Sequence, residues 1–204
     1  MYIAAMLHMT NIRELEFVNS FVGVEHWDAI ATLESLEELT LYGCNFLHWQ
    51  GPADVGPKKR IKVPHLRVNG CPKLRPPIAA IDPRYLRTLA VDNKFFDHVD
   101  WLSPSALTEL YITILPWQTI DVTLDHMQRL HTILVQAHQS LEKVTVFFDE
   151  PLGLEDVVRG MFDNPVWKNM PLLCSLTLIA RFEYDEIINY KVRQLSSSSV
   201  SHGS

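Results

Sequence analysis

The sequence predicts an α/β repeat solenoid, with a parallel β-sheet on the concave side and short helices and irregular links on the convex side. Three observations predict it. An apolar spacing, LxxLxL, occurs seven times in order along the chain. The segments between matches hold short helical patterns or Pro-bearing links. The 204 residues suffice for one domain with a sizeable core.

The first match is Ile12, Leu15 and Phe17. Val24, Trp27, Ile30 and Leu33 follow, three apart, with Glu25, Asp28 and Glu34 between them, which predicts a short amphipathic helix. The second and clearest match is Leu36, Leu39 and Leu41, which Cys44 and Phe46 extend to LxxLxLxxCxF. The Trp-Gln-Gly-Pro-Ala-Asp-Val-Gly-Pro run after it is loop chemistry. The third is Val63, Leu66 and Val68, with Cys71 where Cys44 stood. Pro76, Pro77 and Pro83 make the next link irregular or one turn of 3₁₀ helix. The fourth is Leu86, Leu89 and Val91, trailed by Phe96, and the fifth is Leu107, Leu110 and Ile112, trailed by Leu115. A helix is expected from Leu124 to His138, with Leu124, Met127, Leu130, Leu134 and Ala137 on one face and Asp121 or Thr123 as cap. The sixth match is Leu141, Val144 and Val146. Leu154, Val157, Val158, Met161 and Phe162 predict another helix, and Leu173, Leu176 and Leu178 give the seventh match. Tyr184 to Leu195 is expected to close the chain as a terminal helix. The solenoid domain thus spans residues 1–195, and the Ser-rich end, 196–204, is expected to be a disordered tail.

The first positions of the matches are separated by 24, 27, 23, 21, 34 and 32 residues. The first four separations fall within the roughly 20–29 residues of leucine-rich repeats, and the last two are lengthened by inserted helices. Alternate strand residues share a face, so positions four and six of each match point inward together. Each crossover makes successive strands parallel. One repeat cannot bury its apolar edge, whereas stacked repeats share a continuous core. Cys44 and Cys71 suit a buried inward turn and are expected to pack rather than react.

Strand segments such as Ser-Leu-Glu-Glu-Leu-Thr-Leu-Tyr-Gly-Cys, and the Pro-x-Leu style of Met170-Pro-Leu-Leu-Cys-Ser-Leu-Thr-Leu and Val63-Pro-His-Leu-Arg-Val, resemble the leucine-rich repeat region of fungal F-box proteins. The resemblance covers residues 10–182. It implies a substrate-recognition region of an F-box-type ubiquitin ligase adaptor. In that family an N-terminal F-box docks on the ligase's adaptor while the repeats hold the substrate. Only eleven residues precede Ile12 and they hold no F-box, so that adaptor becomes a partner only if an F-box lies upstream. The alternative is a leucine-rich repeat scaffold or inhibitor unrelated to ubiquitination.

Composition narrows the partners. The formal net charge is -6, which repels nucleic acid and anionic membranes. The basic run Lys58-Lys59-Arg60 follows Gly56-Pro57 and reads as a solvated loop tip. Three cysteines without a CxxC predict a reducing compartment, hence a cytoplasmic or nuclear location. Neither a signal peptide nor a membrane span is expected. No catalytic motif is found, so an enzyme is not expected. His126 and His131 are five apart, about 140° around a helix, and no His pair has the zinc-binding i,i+4 spacing, so neither metal nor cofactor is expected. Asp149-Glu150 reads as a turn before Pro151 rather than an acid/base pair.

What remains is the solvent-facing side of the strands, expected to bind an unknown protein. Its acidic N-terminal part supplies Glu16 and Glu38, its middle Arg67, Asn69 and Asp92, and its remainder Lys143 and the aromatics. Tyr42, Arg67, Tyr111 and Phe147 are the expected anchors, because interfaces favour aromatic residues and Arg. An Arg67–Asp92 pair is expected across adjacent strands.

Overall fold

The structure is a computed structural model. It describes residues 8, 11–46, 60–71, 78–95, 102, 106–114, 129–135, 139–149 and 170–181, and the backbone of 187–192. In chain order the elements are β1 (Glu14–Val18), β2 (Phe21–Val22), helix α1 (Val24–Ile30), β3 (Glu38–Tyr42), β4 (Asn45–Phe46), β5 (His65–Asn69), a 3₁₀ turn (Pro83–Tyr85), β6 (Thr88–Asp92), β7 (Glu109–Ile114), β8 (Lys143–Asp149), β9 (Ser175–Arg181) and β10 (Ile187–Val192). Residues 129–135 are also helical. Eight strands form one sheet in the order β1-β3-β5-β6-β7-β8-β9-β10, and β2 pairs with β4 separately. The first seven run parallel and β10 is antiparallel to β9. The described chain is therefore mixed α/β, with a mostly parallel sheet and few helices.

The seven LxxLxL matches set the register. Their fourth positions align as one column across the sheet: Leu15, Leu39, Leu66, Leu89, Leu110, Val144 and Leu176. Their sixth positions form the next: Phe17, Leu41, Val68, Val91, Ile112, Val146 and Leu178. Both columns are buried, as are six of the seven first positions, and Ile12, the seventh, packs against the cluster half-buried. A one-residue slip would turn both columns out to solvent, so burial pins the pairing.

The backbone repeats as faithfully. The second position of each match offers a carbonyl to the N–H groups of the second and third positions of the next. Arg13 O accepts from Glu37 N at 2.7 Å and Glu38 N at 2.9 Å, and the same fork recurs on Pro64, Arg87, Thr108 and Glu142. One junction differs: Glu37 O accepts from His65 alone, at 3.0 Å, because Pro64 has no N–H to give.

The eighth position leaves the strand through a left-handed residue in the first three matches. Asn19 has φ 48, Gly43 φ 61 and Gly70 φ 65. Each donates its N–H to the seventh position of the following match: Asn19 to Tyr42 O at 2.7 Å, Gly43 to Asn69 O at 2.8 Å, and Gly70 to the Asp92 carboxylate at 2.6 Å. The ninth-position cysteines are buried as expected. Cys44 donates its thiol to Phe17 O at 3.2 Å, and its N–H donates to Cys71 Sγ at 3.4 Å. The contact with Cys44 and then burial push the Cys71 thiol up.

The expected first helix is present as α1. Trp27, Ala29 and Ile30 join the core, and His26 Nδ1 accepts the Gly23 N–H at 3.1 Å, closing the helix N-terminus. The Pro-bearing link gives the predicted 3₁₀ turn, capped by Asp82, whose carboxylate accepts from Arg84 N at 3.2 Å. Of the helix expected over 124–138, residues 129–135 are described; Leu130, Ile133 and Leu134 are buried.

One element is corrected. The expected terminal helix over Tyr184 to Leu195 contains a strand instead, β10, paired antiparallel with β9 from Ile187↔Arg181 to Val192↔Leu176. Ile187, Ile188, Tyr190 and Val192 are strand formers, and β9 otherwise presents an open edge. The link, 182–186, is too short for the crossover a parallel strand needs. The helix expected over Leu154 to Phe162, the tail 196–204, Lys58-Lys59, His126, His138, Phe96 and Leu115 lie outside the described residues.

Candidate protein-docking face

The parallel strands have a buried face and an open one. Three columns of side chains make up the open face. The first runs Glu14, Glu38, His65, Thr88, Glu109, Lys143 and Ser175; the second runs Glu16, Thr40, Arg67, Ala90, Tyr111, Thr145 and Thr177. In the third, Val18 is opposite Tyr42 and Tyr42 opposite Asn69, then Thr113, Phe147 and Ile179 face one another in turn.

Most of the sequence-predicted residues meet here. Glu16 is exposed and Glu38 half-buried. Tyr42 is 51% exposed and Tyr111 39%, large values for aromatics. Arg67 Nε lies 2.7 Å from Glu38 Oε1, so its partner is Glu38, not Asp92. Asn69 is half-buried at the strand end, where its carbonyl accepts from Gly43. Lys143 Nζ lies 2.7 Å from Glu109 Oε1, and the Tyr111 hydroxyl donates to Glu109 Oε2 at 3.0 Å. Phe147 is half-buried on the open face, with the Arg181 guanidinium 6.0 Å from its ring centre; Phe148, next to it, is core.

Asp92 is the exception. It is only 1% exposed and does not serve the open face. Its Oδ2 accepts from Gly70 N at 2.6 Å and its Oδ1 from Lys94 N at 3.0 Å. A short carboxylate at a strand end can fold back onto free backbone N–H groups, which alternation alone does not reveal.

Other residues complete the face. Glu109 is the hub of the Lys143–Tyr111 cluster, and Lys143 above all holds its carboxyl below the usual range, with smaller help from Tyr111. Burial, then the bond to Glu109, pushes the Tyr111 phenol up. Asp149 was expected in a turn, yet it is the last residue of β8, and its Oδ1 lies 2.6 Å from Arg181. The run Lys143, Thr145, Phe147, Asp149 keeps the alternation going and was the signal for it. Ala90 was overlooked because it is small, and that is its effect. It sits between Arg67 and Tyr111 in the second column, where its short side chain leaves a hollow of about 210 Å³ bordered also by Tyr42 and Thr113. A second, wider depression of about 610 Å³ lies toward β1, lined by Glu14, Glu16, Glu38, Thr40 and Arg67.

Among the described residues, no group of three or more His, Cys, Asp or Glu side chains is placed to hold a metal ion. None of their helices is long and apolar enough to cross a membrane. No family model, curated protein or solved structure matches the chain.

Proposed function

We propose that the chain is a non-enzymatic protein-binding module whose open sheet face takes the partner. On this reading the parallel stack is a leucine-rich repeat solenoid with the open face on its concave side. The observation that carries the proposal is that face itself: exposed Tyr42 and Tyr111 beside a hollow, surrounded by charges held in pairs. Rigid aromatics on strands give contact area at little entropic cost, and paired polar neighbours fix their orientation. The repeat style supports a more specific role, substrate recognition in an F-box-type ubiquitin ligase adaptor. The unpaired thiols of Cys44, Cys71 and Cys174 fit a cytoplasmic or nuclear site for it.

The test is quantitative proteomics in cells expressing the tagged chain, with and without proteasome inhibition. A Tyr42→Ser/Tyr111→Ser variant of unchanged denaturation midpoint should lose specific partners, and ubiquitin-modified forms of those partners should be lost with them. A partner set unaltered by the variant would rule out the open face. Partners that depend on the face but never carry ubiquitin would leave a binding module without the ligase role.

A further inference from the structure

The charges of the open face do not balance, and the imbalance is local. Every Arg and Lys whose side chain is described on the face is already matched by a carboxylate: Arg67 by Glu38 at 2.7 Å, Lys143 by Glu109 at 2.7 Å, and Arg181 by Asp149 at 2.6 Å. Glu14 and Glu16 have no such partner among the described residues, and both are exposed on β1. They line the wider depression, while Arg67, which borders both hollows, is turned toward Glu38. The face therefore has one acidic end, at β1, and a neutral aromatic middle at Tyr42, Ala90 and Tyr111.

An occupant that covers both regions must supply positive charge at one place only. From Glu16 to Ala90 the second column crosses three strand spacings, about 14 Å at roughly 4.8 Å each. That is about four residues of extended chain at roughly 3.3 Å each. A second copy of this protein laid face to face would set acidic end against a like-charged molecule, since each copy carries a net charge of -6. Nucleic acid is repelled by the same carboxylates.

We infer that the open face binds an extended segment of a partner protein running across the strands, with Arg or Lys at Glu14 and Glu16. An aliphatic or aromatic side chain, about four residues away, enters the hollow over Ala90. The inference rests on the open face being the docking surface, and adds to it the chemistry and direction of the occupant. Three neighbouring features divide the work. Glu14 and Glu16 attract the cation, Arg67 is held back from them by Glu38, and Tyr42 with Tyr111 flanks the apolar group. Exposed rim charges of this kind act chiefly on encounter rate and selectivity, so the cationic end steers while the hollow anchors.

The experiment uses the full chain as bait for a phage-displayed library of random dodecapeptides. Enriched sequences are then measured as labelled synthetic peptides by fluorescence anisotropy. Peptides that compete through the open face should carry Arg or Lys near one end and an apolar residue about four positions away. A Glu14→Gln/Glu16→Gln variant should bind them roughly tenfold more weakly, the effect of losing two rim charges. That loss should vanish when the peptide's Arg is replaced by citrulline, and should shrink at high salt. Enriched peptides that need Tyr111, shown by Tyr111→Ser, yet are neutral or acidic would overturn the inference and leave the docking face standing. Peptides indifferent to both variants, or none enriched at all, would overturn the inference and the docking face together.

Discussion

A methyl group added at Gly43 meets different surroundings from one added at Gly70. Both glycines are left-handed, so any side chain there carries backbone strain of about 1 kcal/mol or more. At Gly43 the new Cβ would also collide with Asn19 Oδ1, itself on a left-handed residue of the neighbouring strand exit; at Gly70 the nearest atoms, of Gly43, lie 3.6 Å away. Gly70→Ala should therefore cost about 1 kcal/mol and Gly43→Ala about 2 kcal/mol in urea unfolding at pH 7. Equal costs would mean that Asn19 yields freely. The left-handed glycines belong to the tight strand exits of the motif, whereas Asp92 was misassigned because outward position in a strand says nothing about where a short side chain turns next. Tyr42, Tyr111 and Phe147 were placed correctly by alternation alone, since their rings are too large to fold back.

At the scale of elements, β1 and β7 occupy unlike places. Among the described strands β1 pairs only with β3, whereas β7 lies between β6 and β8. Leu15 retains 9% exposure against none for Leu110 in the same column. Amides from Ile12 to Phe17 should thus exchange with deuterium faster than those from Leu107 to Ile112, by tenfold or more under native conditions. Equal protection would show that residues before Ile12 seal the edge. Strands of the parallel stack were legible because each repeats one spacing, and coincidence at seven places is hard to produce by composition. The end of the chain was not legible by the same means. Tyr184 to Leu195 has no copy elsewhere, and its periodicity was read in isolation, without the unpaired edge of β9 that decides it. The helix at 129–135 needed no partner, because its apolar stripe already declares a buried face.

For the molecule as a whole, acid is the informative perturbant. Asp82 is nearly buried, and its hydrogen bonds with Arg84 hold its carboxyl below the ordinary value of 3.8. A lowered carboxylate value means that the folded state binds its proton less readily than the unfolded one. Its stabilising contribution is full above pH 3.8 and is lost as the pH falls through the folded value. Glu109, held down mainly by Lys143, adds a loss of the same sign. An Arg84→Met variant should accordingly show a shallower fall of stability below pH 4 than the parent, with denaturant midpoints measured from pH 7 to pH 2; parallel curves would dismiss the pair as a source of acid sensitivity. Fold and face were readable to the extent that they follow from periodicity. Which charges cancel was not, because that depends on rotamers reaching across strands, as Arg67 does toward Glu38. The in-register columns have one more consequence. Because equivalent residues recur at a fixed step, the open face works as a graduated scale. Its unit is one strand and its zero mark is the carboxylate pair on β1. Inserting one repeat between β1 and β3 would keep every graduation intact and move the hollow by a whole unit. A partner with its cationic and apolar groups at the original distance would then miss, so selectivity can change by counting repeats, without altering any contact.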